Sequence, residues 1–476
     1  MINESNINQV KLKKSSIVAY GIGGAGQVVA INLFYMYFIF FLTTVANVNP
    51  AIAGTISLFA VIWDAITDPI IGYLSDRFNG NKYGKRVPFI LFSCIPLGIS
   101  MYLLFTDFGF DGSLKIIFIF FANILFWTFF TSTDIPYISL ASDLTNDYDE
   151  RTKLRTSTTA FSNAGSIIIT SGVMFLLDML LNKEASQVQA WSIIGLTLGA
   201  FVIICYMLSA LLLKGEENIA ESVESNKSEK DINPIIGFLS LFKVKQYRFI
   251  VIVSFLMNFF TGIVSSSMMF YYLYVAGLDY SKIALIPFIP TVIFILSAVP
   301  VGSLAIRIGK KKCMIIGLFL MMISSVFYVI LPPTFSMMVL IQSIMMIGNT
   351  AFWILIYSLN FDIVEIDEFI NNKRRDGQLI SLNSFVMKLG VAVGMWIGGI
   401  LLSVGGFDAV ATVQTSGVEN ILRLVVGGIP AILTFLAIIS LCMYKVNKKN
   451  FDALKMAIEL RKEGREYSTT EFEEIL

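Results

Sequence analysis

The stretch Ala51–Leu74, AIAGTISLFAVIWDAITDPIIGYL, runs 24 residues with no basic side chain and only two acids, Asp64 and Asp68. At about 1.5 Å rise per residue, a helix of that length crosses a ~30 Å hydrocarbon core with some tilt. A spacing of four sets Asp64 above Asp68 on one helix face. A charged Asp near mid-membrane costs at least ~2.5 kcal/mol, and two like charges on one face cost more. Packing does not offset that cost; a cation or proton held between the carboxylates would. The plain alternative is pairing with basic residues on neighbouring helices. Pro69 follows at once and removes a backbone donor, which predicts a kink whose freed carbonyls are further ligands.

The rest of the chain fits a membrane setting. Of 476 residues, 56% are hydrophobic and 14% charged, with mean hydropathy +0.74; soluble domains carry about 25% charged residues. The expected fold class is therefore an all-α polytopic membrane protein. The net charge of +1 identifies no partner, and no nucleic-acid partner is expected. Histidine is absent, which excludes His catalysis, His metal sites and a His proton relay. Cys94, Cys205, Cys313 and Cys442 lie far apart, without metal-ligand spacing or a disulfide framework. A membrane-embedded enzyme would need a nucleophile–base pair or a metal set, so none is expected. Residues 1–16 are polar and the next apolar run is too long for a signal-peptide core, which predicts an uncleaved first helix.

Apolar runs fall near 17–45, 51–74, 87–105, 115–140, 158–181 and 188–213, then near 247–274, 281–305, 313–331, 335–361, 379–404 and 421–444. That predicts twelve transmembrane helices in two groups of six. With both termini cytoplasmic, 30 of the 35 basic residues fall in inside segments; Lys115, Lys183, Lys282 and Arg423 fall outside, and Lys388 lies within helix 11. That bias supports the count and a multi-pass location in the cell (inner) membrane. The expected domains are an N-terminal half 1–213, a cytoplasmic linker 214–246, a C-terminal half 247–444 and a cytoplasmic tail 445–476. The linker is rich in Glu, Ser, Lys and Asn. In the tail, Phe451, Leu454 and Ile458 have helical spacing, predicting a short surface helix.

Several motifs need weighing. Gly72-Tyr-Leu-Ser-Asp76-Arg77 with Gly84-Lys85-Arg86 closes helix 2, and Gly302-Ser-Leu-Ala-Ile-Arg307 with Gly309-Lys310-Lys311-Lys312 closes helix 8, at matched places in the two halves. Gly21, Gly23 and Gly26 form a G-x-G-x-x-G, but no strand precedes it, so close helix packing is the reading. Thr131-Ser132-Thr133-Asp134 on helix 4 offers hydroxyls and a carboxylate, the oxygens a hard cation takes once dehydrated; the alternative is hydroxyls bonded to their own helix. Lys388 would lose its proton or find a carboxylate, with Asp64, Asp68 and Asp134 as candidate partners. Asp362, Glu365, Asp367 and Glu368, followed by Lys373, Arg374 and Arg375, form either an ion-pair latch or a solvated loop.

These stretches together identify a resemblance. Two six-helix halves with matched loops resemble the major facilitator superfamily, and the Gly72-xxx-Asp76-Arg77 loop looks like its signature. Trp63-Asp-Ala-Ile-Thr-Asp68-Pro69, Asp134-Ile-Pro136, Asp362-Ile-Val-Glu365-Ile-Asp367-Glu368 and Lys388 resemble its glycoside–pentoside–hexuronide:cation symporters, of the type represented by melibiose permease. The resemblance implies cation-coupled (Na⁺ or H⁺) symport of a sugar or glycoside by alternating access, with no other cofactor. By the same resemblance Asp64, Asp68 and Thr131 bind the cation, or metal if it is Na⁺, with Thr67 beside them. Lys388 couples the two sites. Asp134 and Trp353 contact solute, with Gln27 and Tyr137 in the same set, and Asp76, Arg77, Asp362, Glu365 and Arg374 gate. Three positions depart from the pattern. The helix 1 Asp of that permease falls on Val28, its helix 4 Trp on Ile138 and its helix 5 Arg on Thr158, so an anionic uronide lacks its most obvious Arg. Thr67 replaces an Asn, leaving Na⁺ and H⁺ both open. The apolar replacements motivate an alternative solute, an amphiphile or lysolipid.

Overall fold

Helix crossings in this protein are built on glycine. The computed structural model describes residues 12–78, 83–145, 147–217, 241–242, 244–371, 375–411 and 413–476. Among them, twelve helices are long and apolar enough to cross a membrane. They are α1 Lys14–Thr44, α2 Pro50–Arg77, α3 Val87–Leu104, α4 Gly112–Leu144, α5 Glu150–Leu181, α6 Gln187–Leu212, α7 Lys245–Val275, α8 Tyr280–Ile308, α9 Lys310–Ile330, α10 Phe335–Asn371, α11 Gly377–Val404 and α12 Ser416–Met443. A further helix, α13, spans Lys448–Lys462. No strand occurs among the described residues. The fold is all-α with twelve spans, as the apolar runs predict. Arg374, Lys373 and most of the expected linker 214–246 lie outside the described residues.

Helix starts are set by side-chain oxygens that take up a first-turn N–H. Asp147 accepts from Glu150 N before α5, Ser186 from Gln189 N before α6, and Asp279 from Lys282 N at the start of α8. Contacts divide the chain into two units. One takes Met1–Phe34 and Ile62–Ser228; the other takes Tyr35–Val61 and Glu229–Leu476.

Lipid is as apolar as leucine, so helices in it associate through close packing and small residues. In the first unit α3 meets α6 where Gly98 faces the Gly199 backbone. In the second, α7 meets α11 where Gly390 sits against the Phe255 carbonyl, and α9 meets α10 at Gly317 and Gly348. In the tail, Leu454 and Ile458 of α13 are buried, and Arg461 donates to Phe369 O at 2.8 Å and Glu368 O at 3.2 Å. A cation there meets the carbonyl-rich C-terminal end of α10.

Candidate functional site

Asp64 is buried, 1% exposed, on α2. Its Oδ1 accepts a hydrogen bond from Thr131 Oγ1 of α4 at 2.5 Å. Thr67, one turn on, donates to its own helix at Trp63 O and Asp64 O, 3.1 Å each, and its Oγ1 lies 3.5 Å from Thr131 Oγ1. Asp68 is half-buried one turn beyond Asp64. The helix continues through Pro69 to Arg77; proline supplies no N–H to the Ala65 carbonyl one turn back. Trp63 Nε1 donates to Thr128 Oγ1 at 2.9 Å, one turn along the same α2–α4 seam. Asp64 and the hydroxyls of Thr67 and Thr131 thus share one seam inside a membrane span, with Asp68 one turn along α2. Ser132 and Thr133 bond to Thr128 O and Phe129 O of their own helix.

Asp134 stands in a second cluster on the same unit. It is half-buried, and Tyr206 Oη of α6 donates to its Oδ1 at 3.4 Å. Tyr137 packs edge-on against Tyr206 at 5.6 Å and stacks on Tyr20 of α1 at 4.8 Å. Tyr137 Oη donates to Tyr20 O at 2.7 Å. The G-x-G-x-x-G of α1 makes this arrangement possible, since a Cβ on Gly23 would run into the Tyr137 ring and one on Gly24 would lie 2.7 Å from Thr158 Cγ2. Packing, not nucleotide binding, is its role. Gly23→Ala is expected to destabilise the protein by about 1–3 kcal/mol through overpacking, read as a lower melting midpoint in detergent. An unchanged midpoint would show that the ring yields freely.

Gln27 is half-buried on α1, one turn from Gly23. Trp353 and Lys388 belong to the second unit, where both are half-buried; Trp353 packs against Phe352 and Tyr357 at 5.3 and 6.2 Å.

The matched loops acquire a common chemistry. Gly84 and Gly309 both have positive φ, +103° and +92°, which a glycine adopts freely. In the first unit Arg86, 5% exposed, donates from Nη1 to Ser75 Oγ at 2.6 Å, from Nη2 to Asp76 Oδ1 at 2.5 Å and from Nε to Asp143 Oδ2 at 3.0 Å. In the second, Lys310 Nζ donates to Asp362 Oδ1 at 2.7 Å. In each unit a base just after a positive-φ glycine pairs with an acid late in the fourth helix of its set. Glu217, beyond α6, accepts from the backbone N–H groups of Lys85, Arg86 and Val87 at the start of α3. Arg77 is exposed and stacks on Tyr73, 4.3 Å from the ring centre. Near the end of α10, Asp367 pairs with Arg375 at 2.5 Å and Glu368 with Lys462 of α13 at 2.8 Å, so the acidic run is an ion-pair network. Glu365 is half-buried on α10, three residues from Asp362.

A buried carboxylate facing a hydroxyl within a membrane span, in a twelve-helix chain with repeated loops, fits a membrane transporter of the major facilitator type. The family described as MFS/sugar transport protein matches residues 19–448. The chain belongs to this family, the glycoside–pentoside–hexuronide symporters. The Uncharacterized symporter YnaJ of Bacillus subtilis (strain 168) is 26% identical over 94% of this chain and 96% of its own. The Isoprimeverose transporter of Lactiplantibacillus pentosus is 24% identical over 88% and 85%. Among solved structures, a bacterial homologue of the human lysosomal transporter Spinster shares the fold, with TM-score 0.64 at 14% identity, covering 94% of this chain and 96% of its own.

Proposed function

We propose that the protein carries a glycoside across the cell membrane together with Na⁺ or H⁺, with both termini in the cytoplasm. The supporting observation is the Asp64–Thr131 bond inside a membrane span, with Asp68 and Thr67 one turn away. A cation arriving between the two carboxylates relieves their repulsion and finds the hydroxyl oxygens of Thr131 and Thr67 beside Asp64. Thr67 keeps its oxygen in the seam while its proton goes to its own helix. In this reading Lys388 couples cation to solute, and Asp134, Tyr137, Gln27 and Trp353 contact the solute. Asp76, Arg77, Asp362, Glu365 and Arg374 belong to the gates. The isoprimeverose relative supports a glycoside rather than the less polar alternative.

The test is a panel of labelled glycosides offered to proteoliposomes under an imposed Na⁺ gradient and, separately, an imposed pH gradient. Accumulation of at least one glycoside driven by one of the two gradients is the expected result. Glycoside flux indifferent to both gradients would remove the coupling, and no glycoside flux at all would remove the solute class.

A further inference from the structure

The start of α3 is capped from elsewhere in the chain. Its N-cap residue is Arg86, whose side chain makes no capping bond, and its second residue, Pro88, has no N–H. A base at this end also meets the positive pole of the helix. The acceptor is Glu217, 7% exposed, which lies beyond α6. Its carboxylate takes Lys85 N at 2.5 Å and Arg86 N and Val87 N at 3.1 Å each. Helix N-termini hold anions through such N–H groups; here the chain supplies the anion itself. Gly84 makes room, since a Cβ on it would lie 2.3 Å from Glu217 Oε1. The second unit repeats the tie with reversed polarity. Lys311 Nζ, in the first turn of α9, donates to Cys442 O at 2.9 Å and to Tyr444 O at 2.5 Å, where α12 ends. In both units the exit of the sixth helix of the set is bonded to the start of the third.

The base that this tie holds also spans the cation seam. Arg86 joins Asp76 of α2 to Asp143 of α4. Asp76 lies 12 residues after Asp64, and Asp143 lies 12 residues after Thr131. On both helices the clamp therefore sits the same distance, about 18 Å, along from the Asp64–Thr131 bond. We propose that Glu217 is a positioning residue for the cation site: it fixes the backbone at 85–87, so that Arg86 clamps α2 to α4 at the separation the Asp64–Thr131 pair needs. This rests on the reading of Asp64 and Thr131 as cation ligands. The carboxylate also offsets the charge of a guanidinium placed at the positive end of a helix. Without it the start of α3 frays, Arg86 loses its aim, and these ends of α2 and α4 are free to part.

The experiment measures the cation dependence of uptake by full-length protein in proteoliposomes, using the glycoside that accumulates in the panel above. Glu217→Gln keeps the shape of the side chain and removes its charge. The half-saturating cation concentration is expected to rise about 10-fold, equivalent to about 1.4 kcal/mol, with maximal uptake per folded carrier unchanged. A merely structural cap would instead lower the melting midpoint and the amount of folded carrier while leaving half-saturation where it is. Arg86→Lys, which keeps the charge but not the three-way reach, is expected to raise half-saturation by a similar factor. Adding Glu217→Gln to it should change little further, because residues that act through one another are not additive. Unchanged half-saturation in either single variant, or the full loss repeated in the double variant, overturns the assignment and leaves the cation reading standing. No uptake in the parent, or uptake indifferent to both Na⁺ and H⁺, overturns both.

Discussion

Asp64→Asn is expected to abolish cation-stimulated uptake while leaving the protein at least as stable as the parent. The asparagine side chain is nearly the same size, and its amide oxygen still accepts from the Thr131 hydroxyl, which in the parent sits 2.5 Å from Asp64 Oδ1. The amide lacks the charge that holds a cation, and a lost charged ligand of about 3 kcal/mol weakens cation affinity by roughly 100-fold. The stability effect has the opposite sign. A carboxylate 1% exposed inside a membrane span is costly by at least ~2.5 kcal/mol, so its neutralisation relieves the folded state. The melting midpoint in detergent is therefore expected to hold or rise as transport fails. Unchanged cation-stimulated uptake in Asp64→Asn would place the cation elsewhere, and a lowered midpoint would mean that the charge is structural. Thr131→Val separates the hydroxyl from the charge. It leaves both carboxylates but removes a donor and ligand, and a roughly 10-fold loss of cation affinity is expected from one hydrogen bond to a charged group, measured from the cation dependence of uptake.

The helices were readable because apolar runs, basic loops and length act over whole segments. The twelve predicted runs and the twelve spans agree, and ends differ mostly where a polar turn extends an apolar helix, as in α10, which continues from Phe361 to Asn371. The G-x-G-x-x-G could be assigned to packing because no strand precedes it, but not to Tyr137, whose place on another helix no local pattern records. Likewise Tyr206 is one of 18 tyrosines, and only the assembled helices bring its hydroxyl to Asp134. Glu217 carries no sequence signal at all. It lies at the start of a polar stretch, and its partners are backbone amides some 130 residues earlier. In the sequence Arg86 is only one base in a basic loop, and the pattern points to Arg77, beside Asp76, for gating; the burial that singles out Arg86 is a property of the assembled helices. The unit boundaries within α1 and α2, at Phe34 and Val61, fall inside continuous apolar runs and have no compositional mark.

Arg86→Met is expected to destabilise the protein by about 3 kcal/mol, the loss typical of breaking a buried ion pair by removing one partner. The guanidinium is buried and reaches three side chains at once: Ser75 and Asp76 at the end of α2 and Asp143 at the end of α4. Methionine fills much of the volume but leaves Asp143, whose side chain is 15% exposed, as an uncompensated charge. Asp76 is 54% exposed and adds little, because water screens it. Arg86→Lys keeps the charge but cannot serve three acceptors from one plane, so it should fall between the parent and Arg86→Met. In a unit of this size the full loss corresponds to a melting midpoint lower by roughly 5–10 °C. The repeat supplies a control. Lys310→Met strips the buried Asp362 of its partner in the other unit, but Lys310 is itself 40% exposed and joins one acid rather than two acids and a hydroxyl. Its effect should have the same sign and a smaller size. Equal losses would mean that the paired acid alone sets the cost; a larger loss at Lys310 would show that the reach of the arginine across α2 and α4 counts for less than the burial of Asp362.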